Sequence, residues 1–477
     1  MSQINKLFGS DLNVLNMGSQ IFHEEVLKQD NPSVNIDWKP PGAGDEKLLE
    51  ALDWLSDQTQ IDQANDKVIE IMMSSKMVLT GVARAIDVVP GMTKHTVLHA
   101  GPPITFDKMP GPMKGAVIGA LIYEKLAKDA DEALALAQSD VITYASCHDH
   151  QTVGAMTGVI SANMLVHCVK NETYGNYGFS MVHEGSGYTV QRYGSWDEGV
   201  INRLNWLDQE FRPVLNDAIK LSGGIDVGAT IAQALHMSDE CHNRNKASSS
   251  LFYKQIVPFL LQTEYPKEVL LRVSQFINGN EHYHLSITMA ASKAQLDAAN
   301  GVKNSTIVTA LSRNGYEFGI KVSGLGKDHW FTGPARMVDG LFFPGYSQAD
   351  ACPDMGDSAI SETAGLGGFS LGNAPAIVQF VGGTVADALS YVKKMYEITW
   401  SENKNYTIPF LNFRGTPAGV DVRKVIETGI LPIITTGIAH MKERGKGQIG
   451  AGITTPPQEC FEKALIALSD AYKKGEE

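Results

Sequence analysis

The sequence has few charged residues and no concentrated basic segment. Charged residues make up 19% of the 477 residues and the formal net charge is −13, whereas soluble domains average about 25% charged residues. Nucleic-acid-binding proteins depend on clustered Lys and Arg, so this balance argues against a nucleic-acid partner. A small ligand is the better expectation.

Membrane and disulfide signals are also missing. No uninterrupted apolar run reaches the roughly 18 residues that a membrane-spanning helix needs, and the N-terminal segment lacks the order of a secretory signal. The Cys residues are odd in number and contain no CxxC pair, which disfavours a disulfide scaffold or a zinc ribbon; they are Cys147, Cys168, Cys241, Cys352 and Cys460. We therefore expect a cytoplasmic protein with reduced thiols and no membrane contact.

The hydrophobic patterning predicts a mixed α/β protein in four parts. Residues 1–95 open with strand, helix and strand patterns at 11–18, 19–29 and 33–38, which predict a Rossmann-like N-terminal domain. Residues 96–194 mix strand-like runs with Gly-punctuated segments and predict a mixed α/β domain. Residues 195–300 show long helical periodicity and predict a mainly helical domain or insert. Residues 301–477 return to strands and end in helices, a second mixed α/β domain.

The densest polar cluster runs from His236 to Asn245, after the apolar helical segment IAQAL. It contains two imidazoles, two carboxylates, two amides and a guanidinium, the groups of an anion clamp or a proton-transfer site. If the helix continues, His236, Asp239 or Glu240, and Asn243 share one face. A solvated helix end is the alternative, because charged residues mostly lie at the surface.

A second cluster, Cys147-His148-Asp149-His150, follows the strand-like segment VITYAS. The next segment, residues 152–164, is predicted to be a Gly-containing helix. Polar groups between a strand end and a helix start lie where α/β proteins gather ligands and anions. Acid–base or hydrogen-bonding duty is favoured, with a transition-metal site as the alternative.

Two further polar segments follow in the last part of the chain. Arg313 begins the segment RNGYE after an apolar strand, and its guanidinium can hold a carboxylate or phosphate with two hydrogen bonds. A β-turn with an exposed ion pair is an equally good interpretation. The segment Met355–Thr363 precedes closely spaced glycines, which let backbone N–H groups approach an anion.

Several longer motifs together resemble the YlbE/YahG family, over nearly the full length of the chain. They are HAGPPI (99–104), KGAVIGAL (114–121), LHMSDECHNRN (235–245), WFTGPA (330–335), GDSAISET (356–363) and GAGITTPPQECFEKA (450–464). One branch of the family is the AllG subunit of oxamate carbamoyltransferase, which works beside FdrA-like and YlbF-like subunits in allantoin and purine catabolism. The resemblance implies carbamoyl transfer between oxalurate and phosphate, an oligomeric assembly and a Rossmann-like N-terminal part.

The residues of the polar clusters are assigned from their chemistry. Carbamoyl transfer needs an anion clamp, donors to the oxyanion at the carbamoyl carbon and an acid–base group. The expected catalytic residues are Arg244 and Arg313 as clamps, with His242 or His148 as acid–base groups. Asn243, Asn245 and Ser358 are expected to orient the small anionic substrate, and Glu240, Asp357 and Glu362 to orient the guanidinium groups or hold a cation.

Two other functions remain open from the sequence. One is a non-catalytic scaffold or regulatory subunit that binds an FdrA-like partner. The other is a metal-dependent hydrolase built on His148, His150 and Glu240. No organic cofactor is expected, because GKGQIG (445–450) follows a charged stretch instead of a strand and so lacks the context of a dinucleotide-binding turn. A divalent metal is the alternative, and the metal-dependent hydrolase would require it.

Overall fold

The computed structural model describes residues 13–36, 40–185, 189–380 and 382–476. Its helices are α1 (Gln20–Leu27), α2 (Glu46–Ser56), α3 (Thr59–Ser74), α4 (Ala85–Val88), α5 (Gly111–Tyr123), α6 (Ala130–Ala137), α7 (Glu198–Trp206), α8 (Arg212–Ser222), α9 (Val227–His236), α10 (Lys246–Leu260), α11 (Lys267–Asn278), α12 (Tyr283–Ala298), α13 (Ile360–Thr363), α14 (Pro375–Phe380), α15 (Val385–Ile398), α16 (Val422–Thr428) and α17 (Gln458–Glu476).

The strands are β1 (Val14–Met17), β2 (Ser33–Ile36), β3 (Met77–Arg84), β4 (Thr96–His99), β5 (Thr143–Ser146), β6 (Thr152–Val153), β7 (Val159–Ile160), β8 (Leu165–Asn171), β9 (Tyr177–Met181), β10 (Ile225–Asp226), β11 (Val308–Asn314), β12 (Glu317–Val322), β13 (Phe331–Pro334), β14 (Asp339–Phe342), β15 (Met355–Gly356), β16 (Thr399–Ile408), β17 (Arg414–Val420), β18 (Ile434–Ala439) and β19 (Gln448–Thr454). The predicted mixed α/β class and the mainly helical middle segment are confirmed.

The N-terminal unit is a strand–helix–strand unit, as predicted. Strands β1 and β2 pair in parallel with α1 between them. Helix α1 buries none of its residues, and apolar side chains of the whole unit are exposed, among them Leu15, Met17, Ile21, Phe22 and Val34. The predicted positions 11–12 and 37–38 lie outside the described residues. The Rossmann-like character of this part stays a prediction.

A five-stranded sheet has the order β10-β3-β8-β9-β6. Helix α12 packs across β8 and β9, and nearly all its residues are buried. The approach is close at Gly178 in β9, where an added Cβ would lie 2.2 Å from the carbonyl oxygen of Ala290. A larger residue does not fit there, so this contact fixes the middle of α12 against the sheet.

Two smaller antiparallel sheets follow later in the chain. One has the order β13-β12-β11-β15 and the other the order β14-β19-β18. Strand β15 pairs with β11 through Arg313 and Gly356, and helix α17 packs against β12 and β13. Strand β18 carries Thr436 toward the site.

Hydrogen-bonded strands run across the boundaries predicted from the sequence. Strand β3, from the part ending at residue 95, pairs along its length with β8 from the next part. The division at residues 95, 194 and 300 stays a prediction. No helix within the described ranges combines the length and apolar character needed to cross a membrane.

The predicted helix at residues 152–164 is wrong. This segment forms the short strands β6 and β7 with irregular backbone between them. Strand β6 pairs with β9 and β7 pairs with β4, so neighbouring strands take backbone groups that a helix would use internally. Between β6 and β7, the N–H of Gly154 donates to Asp357 Oδ2 at 2.7 Å. His148 and its neighbours therefore do not face a helix N-terminus.

The continuation of the helix beyond His236 is also wrong. Helix α9 ends at His236, and Ser238 has a left-handed backbone with φ of 67°. His236 is exposed and its Nε2 contacts Thr407 Oγ1 at 2.8 Å. The shared helical face expected for His236, Glu240 and Asn243 does not form.

Candidate functional site

A cavity of about 650 Å³ lies between the turn before α12, the loop after α9 and strands β18 and β19. The segments around residues 155–156 and 192–193 close its other sides. Its polar wall residues are His183, Arg192, His242, Asn243, Glu281, His282, Ser358, Thr436 and Gln448. The structure thus brings together three residues predicted from the sequence, His242, Asn243 and Ser358, from segments far apart in the chain.

The loop that presents His242 is shaped by the buried carboxyl of Glu240. Its Oε1 accepts the N–H of Arg244 at 2.6 Å, and its Oε2 accepts the N–H of His242 at 3.0 Å. Burial raises the pKa of Glu240 well above its usual value, and the charge of Glu362 adds to the effect. Glu240 therefore acts on the loop's backbone, which positions the imidazole of His242.

His242 is paired with Glu362, which lies in the short helix α13. The imidazole Nδ1 lies 2.8 Å from Glu362 Oε1, and the carboxyl also accepts N–H groups of Gly368 at 3.0 Å and Thr435 at 3.1 Å. At Gly367, with φ of 56°, an added Cβ would lie 2.1 Å from Glu362 Oε1. The closely spaced glycines thus make room for the carboxylate.

This pairing defines the chemistry available at the cavity. A carboxylate at Nδ1 fixes the orientation and the tautomer of the imidazole. The Nε2 atom of His242 has no hydrogen bond within the described ranges. His242 can therefore exchange a proton at Nε2 with a ligand in the cavity.

Arg313 lies behind the cavity wall, fully buried. It donates through Nε to Asp354 Oδ2 at 2.5 Å, through Nη1 to the carbonyl of Gly356 at 2.8 Å and to Ser358 Oγ at 3.3 Å, and through Nη2 to Thr436 Oγ1 at 3.0 Å. Because Ser358 Oγ accepts this bond, its hydroxyl hydrogen is left to donate into the cavity. The structure places Arg313 behind Ser358 and Thr436 and not at the ligand space.

Six polar cavity residues have no counterpart among the sequence predictions: His183, Arg192, Glu281, His282, Thr436 and Gln448. His183 Nε2 accepts from Arg192 Nη1, and the rings of His183 and His282 stack with centroids 5.9 Å apart. His282 Nε2 donates to the carbonyl of Asn243 at 3.2 Å. Burial lowers the pKa of both histidines, and the positive charge of Arg192 lowers it further. They therefore act as neutral hydrogen-bonding groups.

The signal for these residues was weak. His183 follows the end of β9 and Arg192 lies in the turn Gln191–Tyr193, both outside the dense polar clusters of the sequence. The position of His183 after a strand is the one feature that points to a ligand site.

The other residues of the loop after α9 have separate positions. Asn243 lines the cavity, and its buried Nδ2 has no hydrogen-bond partner in the part of the chain that the structure describes. Asn245 Nδ2 donates to the carbonyl of His242 at 2.5 Å and supports the loop from within. Arg244 Nε lies 3.5 Å from Asp239 Oδ1, and its side chain is 35% exposed. Its guanidinium is not part of the cavity wall.

His148 and Asp357 form a second buried pair away from the cavity wall. His148 Nε2 lies 3.5 Å from Asp357 Oδ1, and neither ring nitrogen has a hydrogen-bond partner among the described residues. Asp357 accepts the N–H groups of Gly101 at 2.9 Å and Gly154 at 2.7 Å. Burial raises the pKa of Asp357 to about 6 and lowers that of His148 well below its usual value, with the charge of Lys293 as a second cause.

The geometry does not assemble the metal ligands expected for the hydrolase alternative. His150 is half-buried and its Nδ1 bonds to the carbonyl of Pro90 at 2.7 Å. His148 is part of the Asp357 cluster, whereas Glu240 holds the loop of His242. Across the described residues no group of three or more His, Cys, Asp or Glu side chains has a metal-holding arrangement.

The comparisons with known proteins agree with the motifs in the sequence. A family model described as oxamate carbamoyltransferase subunit AllG matches residues 142–358. YahG of Escherichia coli strain K12, an uncharacterized protein, is 48% identical over 475 residues, covering 99% of this chain and all of the relative. The chain belongs to the YlbE/YahG family.

Two further members of similar length support this assignment. The oxamate carbamoyltransferase subunit AllG of the same E. coli strain is 42% identical over 420 residues, covering 87% of this chain and all of AllG. The crystal structure of a conserved protein of unknown function from Enterococcus faecalis V583 is 52% identical, with a TM-score of 0.84, and covers 86% of this chain and 98% of that chain. The match to the family model includes the loop of His242 and most of the cavity wall.

Proposed function

We propose that this chain is a subunit of an oxamate carbamoyltransferase-like enzyme, which converts oxalurate and phosphate into oxamate and carbamoyl phosphate in purine catabolism. The carrying observation is the His242–Glu362 pair at the wall of the cavity, with Nδ1 bonded to the carboxylate. The identity of 42% to a named subunit of that enzyme supports the reaction class.

The reaction needs one proton transfer and one stabilised oxyanion. A phosphate oxygen attacks the carbamoyl carbon of oxalurate, the bond from that carbon to the internal nitrogen breaks, and the nitrogen leaves in oxamate with an added proton. His242 Nε2–H donates this proton, and in the reverse direction Nε2 accepts it. Glu362 stabilises the protonated imidazole through Nδ1.

Two donors of the cavity wall suit the oxyanion that forms at the carbamoyl carbon. The Ser358 hydroxyl is left to donate because Arg313 occupies its acceptor side, and Asn243 Nδ2 carries unpartnered hydrogens. Preorganised donors of this kind stabilise developing charge more than a solvent does. Arg313 thus acts as a positioning residue in this proposal.

The test uses the chain assembled with its FdrA-like and YlbF-like partners. We expect His242→Gln to lower the formation of carbamoyl phosphate by about 100-fold or more, the usual contribution of general acid–base catalysis. His236→Gln is the matched control, because this exposed histidine bonds to Thr407 and does not line the cavity. Wild-type turnover by a correctly assembled His242→Gln complex would rule the proposal out.

A non-catalytic partner subunit is the second candidate, supported by the exposed apolar residues of the N-terminal unit. Leu15, Met17, Ile21, Phe22 and Val34 are each more than 60% exposed, and exposed apolar patches of this kind mark interaction sites. The same assay separates the two functions. If the chain is a scaffold, the complex needs it for assembly, but substitution of His242 leaves turnover unchanged.

A further inference from the structure

Among the residues that the structure describes, the buried guanidinium of Arg192 has no carboxylate partner. The residue is 6% exposed and lines the cavity. Within residues 13–36, 40–185, 189–380 and 382–476, its guanidinium bonds only to His183 Nε2 and, at 3.2 Å, to the carbonyl of Gly185. Buried charges in proteins are normally paired, so this arrangement needs an explanation.

The number of unused donors points to an anion. A guanidinium carries five N–H donors, and two are used by His183 and Gly185. Three are therefore left for a ligand. Burial keeps His183 neutral, so it accepts from Arg192 and orients the guanidinium without cancelling its charge.

The nearby carboxyls among the described residues form no ion pair with the Arg192 guanidinium. Glu184 accepts the backbone N–H of Arg192 at 3.3 Å and not its guanidinium. Glu281 at the cavity wall is paired with Lys246 at 2.6 Å. The guanidinium therefore has no direct carboxylate contact at the end of the cavity where Arg192 lies.

The second buried guanidinium shows what a structural arginine looks like in the same molecule. Arg313 has a carboxylate partner, Asp354, and gives its remaining bonds to one carbonyl and two hydroxyls. The Arg313 donor that faces Asp354 is therefore not available to a ligand. Arg192 differs in both respects, because it has no carboxylate and keeps most of its donors.

We propose that Arg192 binds the phosphate oxyanion in this cavity. The chemistry it recognises is a compact oxyanion that accepts two or more parallel N–H bonds. This inference rests on the proposed function for the identity of the anion as phosphate. A carboxylate, such as that of oxamate, shares the chemistry and is separated by the test.

The test measures anion binding to the full chain without turnover. Inorganic phosphate and oxamate are titrated separately by calorimetry into the wild type, Arg192→Met and Arg192→Lys. We expect Arg192→Met to weaken phosphate binding by about tenfold or more, since bonds from a charged donor are among the stronger ones in proteins. Arg192→Lys keeps the charge but loses the paired geometry, so its loss is expected to be smaller.

Arg272→Lys is the matched control, because this arginine is half-exposed and paired with Glu210 away from the cavity. It is expected to bind phosphate as the wild type does. If Arg192→Met fails to fold, a crystal structure of the wild type soaked in phosphate decides. An anion bonded to Arg192 supports the proposal, and an anion elsewhere or no anion overturns it.

The outcomes distinguish this inference from the proposed function. If phosphate binding depends on Arg192 but the assembled complex forms no carbamoyl phosphate, the assignment of Arg192 as the phosphate-binding residue is supported and the proposed reaction is rejected. If the complex turns over and Arg192→Met binds phosphate with unchanged affinity, the proposed reaction is supported and the assignment of Arg192 as the phosphate-binding residue is rejected. Loss of oxamate binding alone in Arg192→Met assigns the residue to the organic substrate and overturns the assignment to phosphate.

Discussion

Among the described residues, two buried histidine–carboxyl pairs have different surroundings. His242 Nδ1 bonds to Glu362 at 2.8 Å and its ring lines the cavity. His148 lies 3.5 Å from Asp357 without a hydrogen bond, and Asp357 is occupied by backbone N–H groups. A histidine beside a carboxyl thus lines a cavity in one place and lies in the packed interior in the other.

The difference between the pairs is one of direction. Asp357 and Ser358 are adjacent in the chain, yet Asp357 turns toward Gly101 and Gly154 while Ser358 faces the cavity. A polar segment can therefore supply one residue to the site and the next to the core. Burial alone does not identify a catalytic group; access to a ligand space does.

The largest expected effect is on turnover through the first pair. Glu362→Gln keeps an acceptor near His242 but removes the negative charge that stabilises the protonated imidazole. We expect kcat of the assembled complex to fall by about 100-fold, with little change in KM. His148→Asn is expected to leave kcat unchanged, and an equal loss in both variants would contradict the distinction between the two pairs.

The next largest expected effect is on the stability of the fold, through the pair of His148 and Asp357. Asp357→Ala leaves the buried N–H groups of Gly101 and Gly154 without their acceptor. We expect the free energy of unfolding to fall by about 2 to 4 kcal/mol, as buried unsatisfied donors cost. Asp339→Ala, at an exposed position of β14, is the control and is expected to change it by less than about 0.5 kcal/mol. Equal urea midpoints would refute the structural role of Asp357.

The smallest effect is on the pH dependence of stability. His148 stays neutral in the folded protein because burial lowers its pKa, whereas the unfolded chain protonates it below about pH 6.5. The unfolded state then binds more protons, so the free energy of unfolding falls as the pH falls below 6.5. The same sign holds for the other buried histidines with lowered pKa: His99, His167, His183, His282 and His284.

Buried carboxyls act with the opposite sign, since a raised pKa stabilises the fold at low pH and the effect is lost as the pH rises. These are Glu184, Asp239, Glu240 and Asp357, the last with a pKa of about 6. A comparison of the wild type with His148→Gln cancels their effect. We expect the variant's unfolding free energy to depend less steeply on pH between 4.5 and 6.5, by at most about 1.4 kcal/mol per pH unit. Parallel curves would mean that His148 is protonated in the folded state.

Local patterns in the sequence indicate helices regardless of where in the chain their packing partners lie. The helices α2 and α17 follow from apolar residues at helical spacing, because such a pattern buries one face wherever the helix packs; these two helices pack against each other from distant parts of the chain. The helix predicted at 152–164 failed because the backbone of this segment pairs with β9 at Thr152–Val153 and with β4 at Val159–Ile160. No local pattern contains these pairings.

The candidate site divides in the same way. The polar loop around His242 and the segment around Ser358 and Glu362 stand out in the sequence, because dense polar clusters next to glycines are unusual in a weakly charged chain. The roles of the arginines do not stand out, since Arg192, Arg244 and Arg313 have the same side chain. Whether a guanidinium contacts a carboxylate, solvent or a cavity depends on segments that come together only when the chain folds.

The sequence by itself therefore determined the mixed α/β class, the family and the two segments that supply His242 and Glu362. The tertiary structure decided that these two residues, 120 positions apart, form a pair, and that Arg192 and not Arg313 faces the ligand space. The physical reason is that element type follows from local periodicity and backbone preference, whereas pairing and burial follow from packing between distant segments.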